Sequence, residues 1–233
     1  MNLKSFGCSF IFGSELSDEA KSSILLTAAY SKLTWPSHLA KHLGYKYQCY
    51  ARPGAGNLQI AERVLSNAVG VEKNLFVISW SWIDRFDYIN PEINEYHPSR
   101  FWRTLMPIDD NSVATNYYKN LHSECRDKLV TLISMKSVID VLVQKEIPFI
   151  MTYLDELVFD AQWHVTPAIV ELQNYVKPYM TKFDDLTFLD WSRKHGYPET
   201  DMCHPLEEAH RSAGNLMIKA FDTKSIGAHC HLV

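Results

Sequence analysis

Short apolar segments alternate with amphipathic segments along the chain, and this alternation predicts the fold class. Short runs of apolar and aromatic residues, typical of β-strands, occur at residues 3–8, 45–50, 75–78, 148–152 and 186–190. Between them, apolar residues recur at the spacing of a helix with one buried face, at residues 35–43, 57–69, about 116–145 and from Pro205 onwards. Strand–helix–strand units connect with right-handed crossovers. The sequence therefore predicts an α/β protein with a parallel sheet of about five strands and helices on both faces.

One stretch interrupts this alternation. Residues 84–115 are rich in Pro, Asn, Asp and aromatic side chains and show no regular periodicity. Long irregular segments in compact domains often carry function, for example as lids. We interpret this stretch as an insertion or lid in a single domain that spans residues 1–233. With 233 residues, 46% of them apolar, the chain can bury one large core.

Charge and composition argue against several classes of partner. The net charge is −4 and no cluster of Lys and Arg occurs, so a nucleic acid is not expected. No apolar run is long enough to cross a membrane, and the N-terminus lacks the features of a signal peptide. The five cysteines form no framework, which predicts reduced thiols and a cytoplasmic location. His229, Cys230 and His231 carry possible metal ligands, but we interpret them as a tail. The oligomeric state stays open.

A possible nucleophile and its base follow the first and last predicted strands. Ser9 comes directly after the first strand, and Asp201 and His204 come after the last. The carboxyl ends of parallel strands meet at one edge of the sheet, so we expect these side chains to lie together. A serine hydroxyl needs a base to attack a carbonyl, and the base needs a carboxylate to orient it. The alternatives are an ordinary Gly-x-Ser turn, and an aspartate that caps a helix beside a surface histidine.

The segment Gly54-Ala55-Gly56-Asn57 follows the second strand. It offers backbone N–H groups at the start of a predicted helix, where an oxyanion can be held. Asn57 is also a natural N-cap for that helix. Taken alone, the segment is better explained as a turn with a capping asparagine.

In this order, the three motifs resemble blocks of the SGNH (GDSL-like) hydrolase family, over nearly the whole chain. The resemblance implies a flavodoxin-like, three-layer α/β/α sandwich and ester hydrolysis without a metal or cofactor. It implies that Ser9 is the nucleophile, with Asp201 and His204 completing a catalytic triad. The N–H groups of Ser9 and Gly54 would form the oxyanion hole.

Two departures from the family pattern stand out. Cys8 replaces an aspartate that is not part of the triad. The third block normally supplies an asparagine to the oxyanion hole, and residues 79–85 contain none. The side-chain amide of Asn57, the hydroxyl of Ser81 or the indole N–H of Trp82 could replace it. Arg85 could hold an anionic group of the substrate.

The sequence thus favours a serine esterase that hydrolyses a small acyl ester, such as an O-acetylated carbohydrate, through an acyl-enzyme. One alternative is an O-acyltransferase, in which a sugar hydroxyl replaces water. Another is a non-catalytic member of the fold that binds a glycan or a protein. A flavin- or nucleotide-binding protein is disfavoured, because the loop after the first strand is apolar at Phe10, Ile11 and Phe12.

Overall fold

The computed structural model describes residues 1–19, 30–70, 74–89 and 102–222. Six strands and eight α-helices lie within these ranges. In chain order they are β1 (Asn2–Phe6), α1 (Ser9–Phe12), α2 (Trp35–His42), β2 (Lys46–Cys49), α3 (Asn57–Asn67), β3 (Asn74–Trp80), β4 (Phe86–Ile89), β5 (Trp102–Leu105), α4 (Ser112–Asn120), α5 (Glu124–Gln144), β6 (Phe149–Tyr153), α6 (Pro167–Val176), α7 (Phe188–Lys194) and α8 (Glu207–Asp222). Short 3₁₀ turns cover Glu156–Phe159 and Lys177–Tyr179.

The central sheet has four parallel strands in the order β2-β1-β3-β6. Side chains alternate between the two faces of a strand, and β3 shows this clearly. Leu75 and Val77 pack with α2 and α8 on one face, whereas Phe76 and Ile78 pack with α3 and α5 on the other. The predicted α/β class is confirmed. Because all four strands run in one direction, their carboxyl ends share one edge, where the loops after residues 6, 49, 80 and 153 meet.

The predicted fifth strand at residues 186–190 is wrong. Leu186 pairs with Phe183 in a turn, and α7 begins at Phe188. Thr187 explains the difference, since its hydroxyl accepts a hydrogen bond from the backbone N–H of Asp190 at 3.2 Å and caps the helix. Among the described residues, the sheet continues beyond β6 only through a single bridge between Met151 and Met180.

The predicted long helix is two helices. Asn111 caps α4 and Ser123 caps α5, each through a side-chain oxygen that accepts a backbone N–H. The last helix begins at Glu207, two residues after Pro205, which forms an isolated bridge with Glu199. None of the helices in the described ranges is both long and apolar enough to cross a bilayer.

The stretch interpreted as irregular contains structure. β4 and β5 pair in antiparallel fashion, and α4 follows them. Residues 90–101, within the proposed lid, and residues 229–231 lie outside the described ranges. The lid therefore stays a prediction.

Candidate active site

Ser9 is placed by a tight turn from β1 into the short helix α1. The turn depends on Gly7, where an added Cβ would lie 2.8 Å from Ile11 Cγ1 and 3.0 Å from the Ser79 carbonyl oxygen. Both distances are shorter than ordinary van der Waals contact, so the turn has no room for a side chain. It sets Ser9 as the first residue of α1, 6% exposed, at the carboxyl edge of the sheet.

The structure brings Ser9 and His204 together. His204 Nε2 lies 2.8 Å from Ser9 Oγ, although the two residues are 195 positions apart. The loop before α8 holds the histidine, since the Thr200 N–H donates to the His204 carbonyl at 3.0 Å. The Phe10 ring packs edge-on against the imidazole, with ring centroids 5.4 Å apart. A distance of 2.8 Å allows direct proton transfer from the hydroxyl to the imidazole.

The carboxylate at the other imidazole nitrogen is Glu15, not Asp201. Glu15 Oε2 lies 2.6 Å from His204 Nδ1. Asp201 is exposed and forms neither a hydrogen bond nor an ion pair with His204 in the described part of the chain. The reason is local: the Cys203 N–H donates to the Thr200 carbonyl at 2.9 Å, which leaves Asp201 in the middle of a tight turn. The structure thus corrects the expectation that Asp201 accepts from this ring.

The sequence contains little that indicates a contact between Glu15 and His204. It lies six positions after Ser9, outside any Asp-x-x-His spacing, and it has a left-handed backbone with φ 68°. Hydrogen bonds from Thr200 and then His204 hold the pKa of its carboxyl below the usual range. The one available signal was its closeness to the nucleophile in the sequence.

The backbone donors of the predicted oxyanion hole lie on neighbouring loops. The N–H groups of Ser9 and Gly54 have no acceptor among the described residues. A hydrogen bond of 3.0 Å from the Arg52 N–H to the Gly7 carbonyl ties the two loops together. Two free N–H groups on adjacent loops suit an oxyanion, and their role stays a prediction.

The Asn57 side chain is engaged elsewhere. Its Nδ2 donates to the Ser81 carbonyl at 3.2 Å and to Thr131 Oγ1 at 3.1 Å. Its Oδ1 accepts from the Ser81 N–H at 2.7 Å. Both amide protons are therefore used to hold the loop after β3, which corrects the suggestion that this amide serves the oxyanion hole. Nor does Asn57 cap α3, since it is the first residue of the helix and Gly56 is its N-cap.

Ser81, Trp82 and Arg85 lie on the segment between β3 and β4, and Trp82 approaches the site through Phe10. Ser81 is 2% exposed, and its hydroxyl has no partner in the described part of the chain. The Trp82 ring meets Phe10 edge-on at 5.4 Å, one ring away from His204. The Arg85 guanidinium lies 4.8 Å from the Trp82 ring centroid and donates to the Ala55 carbonyl at 3.1 Å. An anion-binding role for Arg85 stays a prediction.

A cavity of about 280 Å³ opens next to the ends of β3 and β6. Its lining includes Asp84, Asp155, Tyr118 and Trp163. Burial raises the pKa of both aspartates, and the charge of Asp155 raises the pKa of Asp84 further. Across the described ranges, no group of three or more His, Cys, Asp and Glu side chains is arranged to hold a metal ion.

Comparisons with known proteins agree on the fold. No family model matches this sequence, and no curated protein matches it. A lipolytic protein of the G-D-S-L family from Veillonella parvula is 12% identical over 95% of this chain and 98% of its own, with a TM-score of 0.52. A carbohydrate esterase family 2 enzyme from Corynascus thermopiles is 14% identical over 98% and 66%, with a TM-score of 0.53. The psychrotrophic esterase EstA from Pseudoalteromonas is 8% identical over 96% and 98%, with a TM-score of 0.51. At these identities the likeness is one of fold.

Proposed function

We propose that this chain, which has an SGNH hydrolase-like fold, is a serine esterase. The observation that carries the proposal is the 2.8 Å contact between Ser9 Oγ and His204 Nε2 at the carboxyl edge of the sheet. A hydroxyl and an imidazole at this distance form a nucleophile and its general base.

In the proposed reaction, Ser9 Oγ attacks the ester carbonyl while His204 Nε2 takes the hydroxyl proton. The N–H groups of Ser9 and Gly54 stabilise the tetrahedral oxyanion. The C–O bond to the alcohol then breaks, and His204 returns the proton to the departing alkoxide. In the second half, His204 takes a proton from water, the hydroxide attacks the acyl-enzyme, and the acid leaves as Ser9 recovers its proton.

The proposed substrate is a small acyl ester of a polyhydroxylated alcohol, such as an O-acetylated carbohydrate. The choice follows the family resemblance. The cavity beside β3 and β6 offers carboxylate oxygens from Asp84 and Asp155 and the ring of Trp163, which suit a sugar, but neither Ser9 nor His204 lines it. The fold likeness to a carbohydrate esterase family 2 enzyme is compatible with the same class.

A fluorophosphonate probe, which reacts with activated serines, tests the proposal. We expect the wild-type protein to be labelled at Ser9, and Ser9→Ala to abolish labelling. His204→Ala should slow it by about 10³-fold or more, because the hydroxyl then lacks its base. Ser66→Ala, at an exposed serine of α3, serves as the control. An unlabelled wild-type protein, or labelling that survives Ser9→Ala, would contradict the proposal.

A protein of this fold that only binds glycans is the second candidate. It is favoured by the hydrogen bonds that the Asn57 amide makes to Ser81 and Thr131. Because of these bonds, this amide is not available as a third donor to an oxyanion. Binding of an acetylated sugar without probe labelling would support it. Measuring release of acetate with and without an added acceptor sugar separates the esterase from an O-acyltransferase.

A further inference from the structure

We propose that Glu15, and not Asp201, is the residue that positions His204. The inference rests on the proposed function, because it concerns the same histidine. It starts from the 2.6 Å contact between Glu15 Oε2 and His204 Nδ1. A neutral imidazole has one N–H. If Nδ1 donates that proton to Glu15, Nε2 keeps its lone pair and faces Ser9, as a general base must.

Glu15 therefore already accepts the hydrogen bond that His204 Nδ1 can donate. A single N–H makes one well-aligned hydrogen bond, so Asp201 has no donor to accept from on this face of the ring. Asp201 also lies exposed within the Thr200–Cys203 turn. The Asp-x-x-His spacing is present in the sequence, but the arrangement of the side chains does not use it.

The Glu15 carboxylate is held from two sides. Thr200 Oγ1 donates to the same Oε2 atom at 2.6 Å, so one oxygen receives hydrogen bonds from both the hydroxyl and the imidazole. The backbone N–H of Glu15 donates to Glu19 Oε2 at 2.6 Å. These contacts fix the carboxylate against the segment that carries His204.

The backbone around Glu15 is strained in a way that the surrounding contacts maintain. Glu15 has φ 68°, a left-handed conformation that is unfavourable for a residue with a Cβ. Such conformations persist where neighbouring structure enforces them, and they cluster at functional sites. Here the strained residue is the one that reaches the imidazole.

The loop that carries Glu15 is anchored on both sides of the site. The Ser17 N–H donates to Glu207 Oε1 at 2.8 Å, which joins the loop to the start of α8. Asp18 accepts from the Lys32 N–H at 2.8 Å and from the Ser31 hydroxyl. Ser9 and Glu15 thus lie on one short segment of the chain. This segment is hydrogen-bonded to α8, the helix that follows His204.

The charge of Glu15 is partly screened, because its side chain is 43% exposed. We therefore expect its loss to cost about 10²-fold in rate, the low end of the range for groups that assist proton transfer. Orientation of the imidazole, rather than the charge alone, accounts for most of this effect.

Three variants test the inference. Glu15→Gln should lower kcat by about 10²-fold, with little change in KM. Asp201→Asn should behave like the wild type, as should the control Glu208→Gln, which removes an exposed carboxylate on α8. Labelling of Ser9 by the fluorophosphonate should slow in parallel with kcat.

The outcomes distinguish this inference from the proposed function. If Ser9 of the wild type is labelled normally, and kcat falls strongly in Asp201→Asn but not in Glu15→Gln, the inference is wrong. The proposal of a serine esterase then still stands. An unlabelled wild-type protein overturns the proposed function itself. A Glu15→Gln variant in which KM rises as well as kcat falling, with a lowered Tm, indicates a structural role of Glu15 and also overturns the inference.

Discussion

At the scale of single residues, the candidate site depends on a glycine as much as on its polar groups. Ser9 reaches the edge of the sheet because the chain turns within the two residues after β1. Gly7 makes this turn possible, since the Ile11 side chain and the Ser79 carbonyl occupy the space that a Cβ would need.

Replacing Gly7 with alanine should therefore affect both stability and reactivity. We expect Gly7→Ala to lower the free energy of unfolding by about 1–3 kcal/mol, because the added Cβ overpacks the turn. A shift of Ser9 by about 1 Å should slow labelling by about 10²-fold. Urea unfolding and probe kinetics measure the two effects. Gly44→Ala is the control, because Gly44 has φ 67° and open space around it, so it should lose stability without losing reactivity.

At the scale of elements, the start of α3 is held from a distant strand. Asp87, on β4, accepts from the Gly56 N–H at 3.1 Å and the Gln59 N–H at 2.9 Å. Thr104, on β5, donates to the same carboxylate at 2.6 Å. A carboxylate at a helix N-terminus satisfies free N–H groups and interacts favourably with the helix dipole. The β4–β5 pair thus holds the loop that carries Gly54.

Asp87→Ala should lower the free energy of unfolding by about 3 kcal/mol, because two buried N–H groups lose a charged acceptor. Urea unfolding followed by circular dichroism measures this change. The matched control is Asp110→Ala, at an exposed aspartate between β5 and α4, where we expect a change within about 0.5 kcal/mol. Equal effects of the two substitutions would show that Asp87 does not support α3.

At the scale of the whole molecule, the packing of α8 on α2 buries a histidine. His210 is 1% exposed, and its Nδ1 accepts from the Trp35 N–H at 3.3 Å. Burial lowers the pKa of His210 to about 3. The folded protein therefore holds this ring neutral, whereas the unfolded chain protonates it near pH 6.5.

Stability should consequently fall as the pH drops below 6.5, since the unfolded state then binds the extra proton. The loss amounts to up to about 1.4 kcal/mol per pH unit, or about 2 kcal/mol between pH 6.5 and 5. Burial also lowers the pKa of His38, which adds to the loss in the same direction. His210→Gln should flatten the dependence measured by urea unfolding, with His195→Gln, at an exposed position, as the control. An unchanged slope in His210→Gln would contradict this account.

The sequence alone determined the layers of the fold and the edge at which function is expected. Periodicity is a local property, so it located most strands and helices, and it placed Ser9 at the carboxyl end of β1. The expectation that His204 lies beside Ser9 was correct, although it rested on a fifth strand at residues 186–190, which are instead a turn and the start of α7. The prediction from periodicity was wrong at residues 186–190, because an apolar run this short does not distinguish a strand from a helix. There the Thr187 side chain caps the start of α7. The tertiary structure decided which side chains meet. The Glu15–His204 contact and the engagement of Asn57 join segments far apart in the chain. Sequence spacing carries no information about such contacts, because the turns between elements set where each side chain lies.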